Sequence, residues 1–105
     1  MEDKIVDYTY LKESMGDDDL VKSFIEKIRD QIQEYLEKID KLDDMDYLMI
    51  YNHVHSIKGI ASYCFPRIYQ ISAEICTNLK SKKYDNLQRN LDKIRNEYKV
   101  VENQL

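Results

Sequence analysis

Asp18-Asp-Leu20-Val-Lys-Ser-Phe24-Ile-Glu-Lys-Ile28-Arg-Asp-Gln-Ile32-Gln-Glu-Tyr35-Leu-Glu-Lys-Ile39-Asp-Lys-Leu42 decides the fold class. Leu20, Phe24, Ile28, Ile32, Tyr35, Ile39 and Leu42 recur in steps of three and four. That spacing puts them on one stripe of an α-helix. The opposite side carries Lys22, Glu26, Arg29, Asp30, Glu34 and Lys38, a solvated face with helical charge pairs and no assigned function. The pattern predicts a helix over 18–42.

Upstream, a short helix is expected over 8–15, with Asp7 as its cap and Gly16 as a left-handed stop. Asp17, Asp18 and Asp19 then cap the long helix and complement its positive end. Downstream, Asp43, Asp44 and Asp46 break the stripe and open a third helix over 46–64, with Tyr47, Ile50, Val54, Ile57, Ala61 and Cys64 inward. Pro66 cannot continue that helix but suits the first turn of a fourth, which carries Ile68, Ile71, Ile75 and Leu79 inward. Lys80-Ser-Lys-Lys83 reads as a loop. A fifth helix follows from 84 to 101 or beyond, with Leu87, Leu91, Ile94, Tyr98, Val101 and Leu105 on its stripe.

Two glycines and one proline in 105 residues are too few turn signals for a sandwich or barrel. The expected architecture is all-α: an antiparallel up-down four-helix bundle with an additional short N-terminal helix as a lid across one end. The length suits one domain over 1–105, with an ordered core over 7–104.

A net charge of −4 disfavours nucleic acid and anionic membrane as partners. The longest apolar run, 47–51, falls far short of the roughly 18 residues of a membrane span. Met1-Glu-Asp-Lys is acidic and leads into no apolar segment, unlike a signal peptide. Its Met1 favours a free-standing protein over an excised domain. Cys64 and Cys76 have no CxxC spacing and fall on apolar helix faces, as two buried thiols in a reducing cytosol would. A cytoplasmic chain is expected.

The chemically unusual segment is His53-Val-His55-Ser-Ile-Lys58-Gly59-Ile-Ala-Ser62. At about 100° per residue, His55 lies about 130° from the centre of the apolar stripe, so it faces water. Gly59 is one turn on, Ser62 two turns on, and Lys58 flanks the same face. A mid-helix glycine costs about 1 kcal/mol relative to alanine, and close approach of a partner to His55 gives a reason for it. A tolerated glycine or close helix packing is the alternative. Neutral imidazole, with an ordinary pKa of about 6.5, has a free nitrogen that can attack phosphorus. Lys58 can offset charge on phosphoryl oxygens.

His55-Ser-Ile-Lys58-Gly59 resembles the signature of histidine phosphotransfer (HPt) domains, a histidine followed by x-[Leu/Ile]-Lys-Gly on an exposed helix of a four-helix bundle. The likeness covers nearly the whole chain. Gly16-Asp-Asp-Asp-Leu20 resembles the family's entry to its second helix, Phe24 and the stripe after it follow the pattern, and Ala73-Glu74 sits where a small residue is usual. The resemblance implies that His55 accepts a phosphoryl group from a receiver-domain aspartate or hybrid histidine kinase and passes it to a response-regulator aspartate. It further implies that Lys58 stabilises phosphate, that Gly59 clears access, and that Mg²⁺ is carried by the partner receiver alone. One departure bears on the end of the third helix: Phe65, followed by Pro66, stands where the family usually has a second glycine.

His53 points about 160° from His55, so the two cannot share a metal on one helix face. It reads as half-buried or surface. No i, i+4 histidine pair and no CxxC supports zinc. Tyr51, one turn before His55, and Ser62 are candidates for the rim of a docking surface. Arg67, Lys80, Lys82 and Lys83 are candidates for steering an acidic receiver, although the three lysines also fit a solvated loop. No Gly-x-x-x-x-Gly-Lys loop exists, so the chain reads as a stoichiometric, monomeric carrier without an ATP site, rather than an enzyme. Two alternatives stand beside it. One is a helical interaction module that uses the last helix as a coiled-coil seam. The other is a phosphotransfer-like fold that binds receivers without accepting phosphate.

Overall fold

The computed structural model describes residues 4–105, so the reading of Met1-Glu-Asp lies outside the described residues. Among those described there are five helices and no strand: α1 Thr9–Met15, α2 Asp18–Asp40, α3 Tyr47–Ala61, α4 Pro66–Lys80 and α5 Leu87–Gln104. None is long and apolar enough to cross a membrane.

Local chemistry sets the ends. Asp7 Oδ1 accepts the Thr9 N–H at 3.0 Å, and α1 begins at Thr9, one residue later than its spacing suggests, with Tyr8 in the cap position. Gly16 takes φ 71°, the left-handed region that favours glycine, and its N–H closes on Lys12 O. Asp17 then caps α2, accepting from the N–H groups of Asp19 at 2.9 Å and Leu20 at 3.1 Å. Asp46 caps α3 through the Met49 N–H.

The end of α3 is a correction. The helix stops at Ala61 rather than continuing to 64. Pro66 disfavours helical backbone at the residue before it, and Phe65 accordingly sits at φ −119° and ψ 77°. Its negative φ needs no glycine, and its side chain is fully buried. Phe65 is thus a core residue of the α3–α4 turn. The Cys64 carbonyl in this turn accepts the Asp7 N–H at 2.8 Å, tying the N-terminal segment to the α3–α4 junction.

A second correction concerns α2. Its buried row is Val21, Ile25, Ile28, Ile32, Leu36 and Ile39. Leu20 is 55% exposed, and Phe24, Tyr35 and Leu42 are half-buried. The expected row and the observed row share Ile28, Ile32 and Ile39. They diverge by one residue, about 100°, elsewhere, and the core lies on the Val21–Ile25–Leu36 side. In α4, Ser72 and Cys76 join Ile68, Ile75 and Leu79 in the interior, while Ile71 is half-buried. α5 starts at Leu87, not 84, and Leu105 is 36% exposed instead of closing the stripe.

α2 packs on α3, α3 on α4, α4 on α5 and α5 back on α2, with α1 against α2. Ile25, Ile32, Val54, Ile57, Phe65 and Ile94 have no solvent exposure. Burying each such side chain contributes about 1.5–3 kcal/mol. Two polar ties reinforce the α2–α5 seam: Tyr98 OH donates to Gln33 Oε1 at 2.7 Å, and Arg95 Nη2 reaches Asp40 at 2.7 Å. Cys64 and Cys76 are free and buried, and burial pushes the Cys64 thiol up to about 12.

Candidate functional site

The site is built on the outer face of α3. Ile50, Val54, Ile57 and Ala61 take the inner face, each no more than 2% exposed. Helical geometry then turns His55 outward, and it is exposed. Tyr51, one turn earlier, lies nearly parallel to the imidazole, with ring centres 5.7 Å apart and planes at 14°. This contact gives the histidine ring a flat wall on one side and leaves the helix surface beyond it open.

Gly59 lies one turn after His55. A Cβ built there meets no atom within 4 Å. Close helix packing therefore does not account for this glycine, because no neighbouring helix approaches it. Its backbone is ordinary helix, without the positive φ that makes Gly16 necessary. What remains is a bare patch of helix next to an exposed imidazole.

Lys58 is half-buried. Burial pushes the Cys76 thiol of α4 up, and the positive charges of Lys58 and Lys80 oppose that shift. Ser62 ends α3; its hydroxyl donates to the Gly59 carbonyl at 2.6 Å, which satisfies one of the free carbonyls of the last turn. Its oxygen still has lone pairs toward solvent.

Arg67 is engaged elsewhere: its guanidinium pairs with Glu97 and bridges α4 to α5. His53 is half-buried and packs against Tyr35 of α2, ring centres 5.9 Å apart, well separated in direction from His55. Among the described residues no group of three or more His, Cys, Asp or Glu side chains is placed to hold a metal ion.

Two features escaped the sequence. Lys80 belongs to the last turn of α4, not to a loop, and its ammonium lies 5.8 Å from the centre of the Tyr51 ring. The contact spans two helices, so no local spacing could announce it. An open apolar groove also adjoins the site, walled by Tyr47, Leu48, Tyr51, Leu79 and Tyr84 and rimmed by Lys80 and Lys82. Tyr47 and Tyr84, two of its lining residues, form a close stack, 3.7 Å between ring centres.

Comparison with known protein families, with curated proteins and with solved structures returns no match for this chain.

Proposed function

We propose that this chain is a histidine phosphotransfer protein whose His55 carries a phosphoryl group between receiver-domain aspartates. The observation that carries the reading is the pairing of an exposed His55 with a glycine, one turn on, that nothing in the fold requires. The closed sequence of helix contacts, α2 to α3 to α4 to α5 to α2, supports an antiparallel up-down four-helix bundle with α1 across one end.

In the reaction the lone pair of a neutral His55 ring nitrogen attacks phosphorus of an aspartyl phosphate. The N–P bond forms, the P–O bond to the aspartyl carboxyl breaks, and its electron pair leaves with the carboxylate. The reverse attack by a second aspartate regenerates the imidazole. The partner supplies Mg²⁺ and the acidic pocket; this chain supplies the nucleophile, the cation of Lys58 and the clearance at Gly59. It acts as a cytoplasmic monomer, with receiver domains and a hybrid histidine kinase as partners, and without a catalytic cofactor of its own.

The coiled-coil alternative draws less support. Leu91 and Ile94, which a seam on the last helix needs, are at most 1% exposed inside the chain's own core.

The test is incubation with a phosphorylated receiver domain, following acid-labile, base-stable label. Transfer to the wild type and none to His55→Gln supports the reading. Label that persists in His55→Gln places the chemistry elsewhere.

A further inference from the structure

Lys80 closes α4, yet its ammonium sits 5.8 Å from the centre of a ring on α3. That ring, Tyr51, is the one stacked on His55. One aromatic side chain thus links a cation on one helix to the imidazole on the next. Lys80 is exposed, and among the described residues no carboxylate lies within ion-pair distance of it. Its charge is uncommitted except to the face of the tyrosine.

We propose that Lys80 is a second cation of the phosphoryl site. In the unmodified protein its ammonium rests on Tyr51, and when a phosphoryl group arrives at His55 it moves onto a phosphoryl oxygen. The inference rests on the carrier reading above. Three physical points support it. A cation–π contact at an exposed position is weak beside a charge-assisted hydrogen bond to a phosphoryl oxygen, so the ammonium gains by leaving the ring. Four methylenes and free rotation give lysine the reach for that exchange. The positive charges of Lys58 on α3 and Lys80 on α4 both oppose the upward shift of the Cys76 thiol, so cations from two helices are felt at one buried group. Tyr51 keeps its stack on His55 throughout and fixes the plane of the imidazole.

Lys82 is the internal control. It lines the same groove but takes a left-handed backbone, φ 57°, in the turn after α4, and among the described residues it covers no ring. A general gain in positive charge would engage both lysines; a specific site engages Lys80 alone.

The experiment uses the full chain and phosphoramidate, a small phosphoryl donor, so that no partner docking enters. The lone pair of His55 forms the N–P bond, the donor's own P–N bond breaks, and ammonia leaves. The phosphorylated ring keeps its N–H proton on the other nitrogen. Labelling of His55 is followed by mass, with folding of each variant checked by circular dichroism. Lys80→Ala labels severalfold more slowly than wild type, Lys80→Arg labels near the wild-type rate, and Lys82→Ala is unchanged. Added salt narrows the gap between wild type and Lys80→Ala, since it screens an exposed charge. Equal rates for wild type and Lys80→Ala, equal slowing by Lys82→Ala, or no rescue by arginine overturns the proposal and leaves the carrier reading standing. No label on His55 of the wild type overturns both.

Discussion

The two faces of α3 are built from adjacent residues and obey opposite rules. On the inner face Val54, Ile57 and Ala61 have no exposure. On the outer face His55 stands in solvent and a methyl group added at Gly59 meets nothing. The inner face is determined by packing; the outer face contains a residue choice that packing leaves unexplained. That contrast separates what the fold needs from what it leaves free, and it makes mutation at neighbouring positions informative.

The largest stability effect belongs to the inner face. Ile57→Ala opens a cavity in a fully buried site and costs about 2–5 kcal/mol, read by urea unfolding. Two residues away, His55→Gln changes stability by no more than about 0.5 kcal/mol, as expected for an exposed substitution, while abolishing phosphoryl transfer. A His55→Gln variant as unstable as Ile57→Ala would erase the distinction between the faces.

Next in size is Asp17→Ala. It removes the acceptor for two N–H groups at the start of α2 and costs about 1 kcal/mol, with no effect on labelling of His55.

Gly59 sharpens the comparison from the other side. Gly59→Ala adds helix propensity where there is room for the methyl group, so it stabilises the protein by about 0.5–1 kcal/mol. Gly59→Gln, which projects into the open patch, slows transfer from a receiver domain but not from phosphoramidate. A loss of stability in Gly59→Ala would mean that the fold, not a partner, requires the glycine.

The smallest effect is a pH dependence at Asp7. The Thr9 N–H holds its carboxyl below the ordinary 3.8. Its contribution is therefore present above that value and is lost as pH falls through the lower folded-state value. The difference in melting temperature between wild type and Asp7→Asn is small and constant near neutrality, and closes in acid below 3.8.

Much of this was legible in the sequence because it is local. The stripe of α3 identifies both its buried row and, by subtraction, the exposure of His55. Gly16 and Pro66 punctuate the chain where the structure turns. The α2 row was misplaced because Ile28, Ile32 and Ile39 serve two rows equally, and only the position of neighbouring helices decides between Leu20 and Val21. The end of α3 was overrun because the apolar spacing continues to Cys64 while Pro66 constrains the backbone before it. The Lys80–Tyr51–His55 link depends on how α4 lies against α3, and the Tyr47–Tyr84 stack on where the α4–α5 connection returns. Neither leaves a mark in spacing.

The most direct measurement is to locate the phosphoryl group. After exposure of the full chain to a phosphorylated receiver domain, tandem mass spectrometry under alkaline conditions should find the added mass on His55 and on no other residue. Phosphate on His53, on a hydroxyl side chain, or nowhere on the chain would contradict the account.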